Sequence, residues 1–456
     1  MSANPKAYLV GGGIGSLAAA FMIRDGKLRG GNISILEAAP VLGGSLDGSG
    51  DPVGGYSMRG GCMVTTDNYE CTWDLYKTIP SLNHEGRTVF DETVEFNEKH
   101  KANSMARLVD RRRAKVPVAS MGFSIEDRIE LLKLSRAGED ALAASRITDW
   151  LSPAFFETEF WYMWSTTFAF QPWHSAVEFK RYLHGFLLEF SRIETLAGVK
   201  RTVYNQYDSL ASSLGSMTSP PGKLTKTDSG GWTLWEKLAK GRPEFGNPAA
   251  FNSCIAQSCW ESFTVTLQNP TFFDQMIQFT GNQPGTGGLV TFKDSNWPMS
   301  IVLACQPHFP NQAAGVQVFW EYSLFPDRVG NFVPKPMAEC HGAEILRELC
   351  GHLRFDPETV ESANCIPCRM PYITSMFMPR VRSDRPLPVP RGSKNFAFIS
   401  QFVEIADDVV FTVEYSVRAA QMAVYELLGI DRKIPPVTPH AESVHAQFEA
   451  LLKAFQ

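Results

Sequence analysis

The sequence predicts an α/β protein in which a doubly wound, Rossmann-like domain receives an inserted mixed α/β domain and is followed by C-terminal helices. Three observations predict this fold. The chain opens with a strand, a glycine-rich turn, a helix and a second strand; an aromatic-rich helical stretch follows; and residues 260–325 alternate in the manner of strands. At 456 residues, the chain is long enough for two or more domains.

The opening elements carry a fingerprint. The first strand is Ala7 to Val10 in the stretch KAYLVGGGIGSLAAAFMI, and the second strand, ISIL, ends at Glu37. Between them, a glycine turn leads into a helix whose alanines are small enough for close packing. This order of strand, turn, helix, strand and acid is the context that a dinucleotide-binding fingerprint requires.

Four residues of the turn are predicted to bind the dinucleotide. Gly11 permits the tight turn, and Gly13 lets a pyrophosphate approach the helix N-terminus, where backbone N–H groups and the helix dipole favour anions. Ile14 and Gly15 follow directly and complete the predicted cofactor-binding turn.

The acid and a second glycine pair indicate which dinucleotide binds. Glu37 is predicted to accept hydrogen bonds from ribose hydroxyls, which disfavours a 2′-phosphate. Gly43, Gly44 and Ser45 lie in LGGSLDG, and a glycine pair of this kind lets the chain pass close to the dinucleotide in flavoproteins. Together these features favour FAD over NAD.

The remaining elements follow from periodicity. Residues 124–150 are predicted to be helical and begin with an S-x-x-D capping pattern. The stretch FFETEFWYMWSTTFAFQPWHSAVEFKRYLHGFLLEF is predicted to be helical and too apolar on all sides for a surface helix, so it should line a core or a large pocket. NFAFIS is predicted to be a buried strand, and TVEYSVRAAQMAVYELLG a helix that ends at Gly429.

We expect four regions. They are a discontinuous FAD-binding domain at 1–110, 200–250 and 390–432, a helical substrate-pocket region at 111–199, a substrate domain with a β-sheet at 251–389, and a C-terminal helical tail at 433–456. The tail sequence SVHAQFEALLKAF places apolar residues on one helical face: Val444, Phe448, Leu451, Leu452 and Phe455. That face is expected either to lie on a membrane surface or to pack on the protein's own core.

Composition excludes several classes of protein. A formal net charge of −5 without a polybasic run argues against nucleic acid as a partner. The sequence has no apolar run of ~20 residues and no signal-peptide pattern, and its nine cysteines form an odd number, so we expect reduced thiols and a cytoplasmic protein. Cys365 and Cys368 form one CxxC without a second pair, so we expect no metal site there.

Long motifs resemble those of a known family. YECTWDL, MWSTTFAFQPWHSAVEFKRYLHGF, GNQPGTGGLVTFKDSNWPMSIVL, MPYITSMFMPR and SQFVEIADDVVFTVEYSVRAAQMAVY are similar to the oleate hydratases, once called myosin-cross-reactive antigens, over nearly the whole chain. The resemblance implies an FAD-binding domain, a substrate domain and C-terminal helices. It also implies addition of water across the cis double bond of an unsaturated fatty acid, giving a hydroxy fatty acid without net redox change of the flavin.

The resemblance assigns the loop YSMRGGCMV to the flavin. Arg59, Gly60 and Gly61 are expected to lie against the isoalloxazine, where the glycines permit close approach and the arginine can stabilise negative charge. Most family members carry a water-activating glutamate at the position of Met63, so a base must come from elsewhere here. Glu70 is a candidate base because it is near in sequence, but we expect it to have a structural role instead.

Three further residues match family positions. By the resemblance, Tyr182 in KRYLHGF is the proton donor; from the residues alone, a tyrosine that fills the aromatic pocket is the expected reading. Gln206 in YNQY would hold the alkyl chain or the attacking water, and Thr374 in PYITS would hydrogen-bond the carboxylate of the fatty acid. Either residue would otherwise be an ordinary polar group that satisfies the backbone.

The chain departs from the family at one join. Family members place a strand-rich stretch between YNQYDS and GSMT, whereas here Tyr207 to Gly215 join these motifs almost directly, so a piece of the nucleotide-binding sheet is expected to be missing. Two alternatives remain open: a flavin-dependent oxidoreductase or isomerase of lipids, and an inactive lipid-binding relic. Dimeric members of the family place an N-terminal extension at their interface. Because the fingerprint begins at Ala7 here, the resemblance implies a monomer.

Overall fold

The computed structural model describes residues 5–37, 43–46, 48–60, 63–65, 67–201 and 231–456. The predicted join between Tyr207 and Gly215 lies outside these ranges, as do Gly61 and Gln206.

The described chain forms both strands and helices. The strands are β1 (Ala7–Val10), β2 (Ile33–Leu36), β3 (Gly48–Asp51), β4 (Gly55–Met58), β5 (Met63–Thr65), β6 (Leu108–Val109), β7 (Val199–Arg201), β8 (Trp260–Leu267), β9 (Val290–Phe292), β10 (Met299–Val302), β11 (Gln317–Ser323) and β12 (Asn364–Met370). The helices are α1 (Ala18–Arg24), α2 (Glu70–Tyr76), α3 (Val89–Lys99), α4 (Ile125–Arg136), α5 (Glu139–Leu142), α6 (Glu159–Phe168), α7 (Ala176–Gly185), α8 (Leu187–Ser191), α9 (Trp232–Ala239), α10 (Ala249–Asn252), α11 (Thr271–Thr280), α12 (Gly342–Leu353), α13 (Val413–Leu428) and α14 (Val444–Ala454).

The first unit is small. Strands β1 and β2 run parallel, with Ala7 opposite Ile33, and they are the two strands of this sheet within the described residues. Helices α1 and α13 pack beside them around a cluster that contains Phe21, Val417 and Val424. The predicted order of strand, turn, helix and strand is confirmed.

The second unit is a six-stranded sheet in the order β12–β8–β11–β10–β9–β6, antiparallel except for the parallel pair of β6 and β9. Alternate side chains along each strand point to opposite faces of the sheet, and both faces pack against other parts of the protein. Trp320 of β11 belongs to the core around the aromatic helices, whereas Phe319 packs on Phe272 and Phe273 of α11. Cys365 and Cys368 are three residues apart on β12 and therefore point to opposite faces.

One buried acid lies on the α12 face of this sheet. Glu321 of β11 is fully buried, and neither carboxyl oxygen has a hydrogen-bond partner within the described ranges. Burial raises the pKa of this carboxyl well above its usual value, so Glu321 is held as a neutral acid.

The aromatic helices lie inside the protein, as predicted. Helices α6 and α7 bury most of their residues, and apolar side chains of α6, α7 and α8 belong to the largest core cluster, which also contains Trp260 and Phe377. Helix α4 begins at the predicted capping pattern, since Ser124 and Asp127 each bond the other's backbone. Helix α13 ends at Gly429, which has a φ of 62°.

The prediction that NFAFIS forms a strand is wrong. Residues 395–400 have no regular secondary structure. The N–H of Phe398 donates to the carbonyl of Pro388, 2.8 Å away, instead of to a neighbouring strand. Phe396 and Phe398 pack on Phe245, with ring centroids 5.4 Å apart in both pairs. The apolar composition reflects this packing, not a place in a sheet.

The C-terminal helix α14 packs through its small side chains. Ala446 and Ala450 are buried against the rest of the molecule. The predicted apolar face is exposed instead, so the expectation that it packs on the core is wrong. The exposed side chains include Val444 (81%), Phe448 (56%), Leu451 (56%), Leu452 (48%) and Phe455 (67%). No helix within the described residues is long and apolar enough to cross a membrane.

Candidate active site

The glycine turn between β1 and α1 is tight and partly open. Gly11 has a φ of 91°, in the region that favours glycine, and its N–H donates to the carbonyl of Leu36 at 2.8 Å. Apart from the residues directly before and after each glycine, no described atom lies within 4 Å of the position that a Cβ would take on Gly11 or Gly13. The turn therefore has room for a ligand beside its backbone.

Glu37 closes one side of this turn. Its Oε2 accepts a hydrogen bond from the N–H of Gly12 at 2.5 Å, so the acid at the end of β2 meets the turn after β1. Ile14 opens a single 3-10 turn that leads into α1. A Cβ on Gly15 would lie 2.2 Å from the carbonyl oxygen of Ile399, so only glycine fits there.

The second glycine pair lies beside the first. The N–H of Gly43 donates to the carbonyl of Gly12 at 3.0 Å, and a Cβ on Gly44 would lie 3.3 Å from the Cα of Gly13. The backbone of Ser45 continues in the 3-10 turn Gly44–Leu46. The structure thus brings the two predicted glycine segments and Glu37 into one place.

The loop with Arg59 and Gly60 is held by the large sheet. It follows the hairpin of β3 and β4, and the hydroxyl of Thr264 on β8 accepts from the N–H of Met58 at 2.7 Å. The hydroxyl of Thr266 likewise accepts from the N–H of Tyr56 at 2.9 Å. Arg59 is buried. Sequence reasoning missed this contact, although alternate hydroxyls in WESFTVTL were its signal.

A cavity lies between this loop, the β5–β7 pair and the β10–β11 part of the sheet. Gly60 and Met63 line it on the loop side. The other lining residues are Met58, Phe96, Arg201, Gly285, Val302, Leu303, Ala304, Cys305, His308 and Trp320. The walls are mostly apolar, and His308 and Trp320 were not among the predicted site residues.

Tyr182 lies in the aromatic interior and is only 1% exposed. Its hydroxyl donates to the carbonyl of Val410 at 2.5 Å. The rings of Phe168, Phe170 and Phe377 surround it, with centroids 5.2, 4.9 and 5.6 Å from that of Tyr182. Burial raises the pKa of this phenol well above 10, so Tyr182 keeps its proton at neutral pH.

A series of rings connects Tyr182 with the cavity. Trp320, on the cavity wall, lies 6.4 Å from Trp260, and Trp260 lies 5.6 Å from Phe411, as ring centroids. Phe411 lies 5.3 Å from Phe377, which contacts Tyr182. A continuous series of aromatic rings thus links Tyr182 with the cavity wall.

Two other predicted residues have clear surroundings. Thr374 is 1% exposed, its N–H donates to the carbonyl of Ser258, and its hydroxyl has no hydrogen-bond partner in the described part of the chain. Glu70 pairs with Arg418 at 3.1 Å and accepts from the hydroxyl of Thr438, which gives it a structural role. Glu70 is therefore not placed to act as a base at the cavity.

These features define an α/β enzyme built on a dinucleotide-binding fold. The structure resembles wild-type putrescine oxidase bound to putrescine, with a TM-score of 0.53 and 12% identity, over 93% of this chain and 99% of that chain. At this identity the likeness shows the fold alone, and it confirms the predicted fold class.

The chain belongs to the MCRA family, whose model matches residues 4–213 and 210–425. The two matches meet inside the join at which the sequence predicts a missing segment. An oleate hydratase of Streptococcus pyogenes serotype M49 (strain NZ131) is 34% identical, over 99% of this chain and 89% of the relative. A linoleate hydratase of Lactiplantibacillus plantarum is 30% identical, over 93% and 94%. The protein is therefore a hydro-lyase.

Proposed function

We propose that this enzyme adds water across the cis double bond of an oleic-type unsaturated fatty acid, giving a hydroxy fatty acid, with bound FAD that undergoes no net redox change. The relatives named oleate and linoleate hydratase support the substrate class. The observation that carries the proposal is Tyr182, a protonated phenol enclosed by aromatic rings at a position matched in the family.

The residues at the glycine turn fit FAD. The open space beside Gly11 and Gly13 would admit the pyrophosphate, and Glu37 would bind the ribose after releasing the N–H of Gly12. Arg59 and Gly60 would lie against the isoalloxazine. When bound, FAD would supply a flat, polarisable surface at this loop, with Arg59 able to balance charge on its reduced form.

Tyr182 would transfer its phenolic proton to one alkene carbon. A phenol is a weak acid, so its effect depends on position and on the surroundings of the cation that forms. The faces of the rings of Phe168, Phe170 and Phe377 attract positive charge, and their bulk excludes water from competing sites. The pocket therefore suits an apolar substrate that becomes cationic during the reaction.

The fatty acid would be oriented by a polar group at its carboxylate end. The buried hydroxyl of Thr374, which lacks a partner in the described chain, supports a hydrogen bond to that carboxylate. Gln206, outside the described residues, would hold the alkyl chain or the attacking water.

We also propose that the enzyme collects its substrate from a lipid surface. The exposed apolar face of α14 supports this, and a second exposed apolar face lies on α4, formed by Ile125, Ile129 and Leu132. The two helices are joined by Arg128, whose Nε donates to the carbonyl of Ala454 at 2.7 Å. Together they would form one apolar surface for a bilayer that contains the substrate.

Isotope labelling tests the reaction. The protein, reconstituted with FAD, is incubated with oleate in H2(18)O under anaerobic conditions, and the product is analysed by mass spectrometry while the flavin spectrum is recorded. Hydration gives a hydroxy acid with one 18O atom and no net flavin turnover. A stoichiometric change of flavin absorbance with an oxidised lipid would instead establish the oxidoreductase, and an isomerised lipid that contains no 18O, without net flavin turnover, would establish the isomerase. Failure to retain FAD together with absence of product would indicate the lipid-binding relic.

A further inference from the structure

Arg201 is a buried cation on the wall of the cavity. It is the last residue of β7 and lies directly opposite Met63 in the pair of β5 and β7, so this pairing holds it beside the loop that carries Gly60. The side chain of Asn97 bonds both the N–H and the carbonyl of Arg201, at 2.8 and 2.7 Å. The strand pair and helix α3 together fix the backbone at this position.

The charge of Arg201 is not balanced by an acid in the described part of the chain. Its Nη atoms donate to the carbonyls of Val199 and His100, and its Nε is buried without a hydrogen-bond partner among the described residues. Burial lowers the pKa of the guanidinium to about 10, so Arg201 remains charged at neutral pH. A buried cation with an unpartnered donor favours a ligand that brings an acceptor or a negative charge.

Trp320 adds a second donor to the same cavity. It is 5% exposed, and its indole N–H has no hydrogen-bond partner within the described ranges. A buried donor without a partner costs about 1–3 kcal/mol, which an acceptor on a ligand would recover. The cavity therefore combines two donors, one of them charged, with walls that are mostly apolar.

Two glycines of the motif GNQPGTGG make room for this arrangement. Gly287 has a φ of 69°, and a Cβ there would lie 2.7 Å from the Cδ of Arg201. Gly285 lines the cavity with a φ of 80°, and a Cβ there would lie 2.9 Å from the Cβ of Cys305. A side chain at either position would displace the cavity wall, so both positions favour glycine.

We propose that Arg201 and Trp320 bind the pyrimidine edge of the isoalloxazine. The inference rests on the proposed binding of FAD at Arg59 and Gly60, because Gly60 lines this cavity. The acceptors of an isoalloxazine, its two carbonyl oxygens and the ring nitrogens beside them, lie on the pyrimidine side, whereas the dimethylbenzene ring has none. Two donors in one apolar cavity therefore suit a flat ring that is polar along one edge.

The two donors differ in their expected effect on the flavin. Reduced flavin readily loses a proton and then carries negative charge at N1 and the adjacent carbonyl, whereas oxidised flavin is neutral. The guanidinium of Arg201 should therefore stabilise the reduced form more than the oxidised form. The neutral N–H of Trp320 should hold both forms about equally.

The reduction potential of bound FAD tests the role of Arg201. It is measured by anaerobic titration against a redox dye, without fatty acid. Arg201→Met removes the charge and should weaken binding of reduced FAD about tenfold to a hundredfold more than that of oxidised FAD. For a two-electron couple this lowers the potential by about 30–60 mV. Arg201→Lys keeps the charge and should restore most of the potential.

Arg107→Met is the matched control for the loss of a buried cation. Arg107 is fully buried and donates to the carbonyls of Leu289 and Ile193, but it is not among the residues that line the cavity. Burial lowers the pKa of Arg107 to about 10 as well. We expect this variant to lose stability and to keep the parent potential.

Trp320→Phe tests the second donor and keeps an aromatic ring in the sheet. Loss of the N–H should lower the affinity for oxidised FAD about twofold to tenfold. Trp260→Phe is the matched control, because the indole N–H of Trp260 is also buried without a partner in the described chain. Its ring centroid lies 6.4 Å from that of Trp320, and it does not line the cavity, so FAD affinity should stay at the parent value.

Several results would overturn the inference. One is an unchanged potential in FAD-loaded Arg201→Met. Another is a raised KM for oleate with parent potential and FAD affinity, which would assign these donors to the carboxylate of the fatty acid. If Arg201→Met does not fold, the tryptophan pair decides, and equal losses of FAD affinity in Trp320→Phe and Trp260→Phe contradict the assignment. A parent protein that does not bind FAD overturns it too, whereas one that binds FAD without hydrating oleate contradicts only the proposed reaction.

Discussion

Replacing Tyr182 by phenylalanine tests the proposed proton transfer with the smallest possible change. The substitution keeps the ring and its packing on Phe168, Phe170 and Phe377 and removes only the hydroxyl. The buried carbonyl of Val410 loses its 2.5 Å hydrogen bond, so the free energy of unfolding should fall by about 1–3 kcal/mol. Loss of the acid should lower kcat by about 10²–10⁴, equivalent to about 2.7–5.5 kcal/mol of activation free energy.

Tyr415→Phe is a matched control. Tyr415 is fully buried in the same core, and its hydroxyl donates to the carbonyl of Val403 at 2.6 Å and accepts from the N–H of Ile405 at 3.0 Å, so its removal should cost at least as much stability. Oleate hydration, FAD content and urea unfolding are measured for both variants. We expect both proteins to lose stability and only Tyr182→Phe to lose hydration. Parent-rate hydration by Tyr182→Phe would refute the assignment of the proton donor, and equal losses of rate would reduce Tyr182 to a packing role.

Three further predictions address the cofactor, the buried acid and the surface. Glu37→Ala removes a charged acceptor at the glycine turn and should weaken FAD binding about tenfold to a hundredfold, measured by dialysis; full retention of FAD would contradict the ribose assignment. The pKa of the Glu321 carboxyl is raised in the folded state, so this carboxyl ionises at lower pH in the unfolded chain than in the folded protein. Between about pH 4.5 and the folded pKa, each pH unit therefore lowers the free energy of unfolding by about 1.4 kcal/mol. Glu321→Gln should flatten that slope in urea titrations at several pH values, and an unchanged slope would assign it to other groups. Phe448→Asp with Leu451→Asp alters only the exposed face of α14 and should reduce liposome binding severalfold without changing the thermal midpoint; unchanged binding would rule out this surface.

Local signals in the sequence predicted local structure well. The capping pattern at Ser124 and the helix end at Gly429 depend on residues within one turn, so their neighbours decide them. The segment at Phe396 and Phe398 could not be assigned in this way. A buried strand and a buried irregular segment share the same apolar composition, and only the distant Phe245 and the carbonyl of Pro388 decide between them.

The candidate site likewise has some parts that the sequence predicts and other parts that it does not. The turn at Gly11 and the acid Glu37 follow a spacing that is visible in the sequence, and the resemblance assigned Tyr182. The contacts of the loop with the sheet join residues about two hundred positions apart, such as Met58 and Thr264. His308 lines a cavity with Met63 through a similar separation, and no periodicity or spacing encodes that meeting.

The hydroxyls of β8 fix the position of the Arg59 loop relative to the large sheet, through hydrogen bonds that do not involve the glycine turn. Arg59 precedes two glycines, which allow many backbone conformations, yet its carbonyl accepts from the hydroxyl of Ser262, and the N–H groups of Tyr56 and Met58 donate to hydroxyls of the same strand. A change in the length of the nucleotide-binding part of the chain would therefore leave the contacts between this loop and β8 in place. Cofactor affinity would then change without a change in the part of the cavity wall that this loop forms.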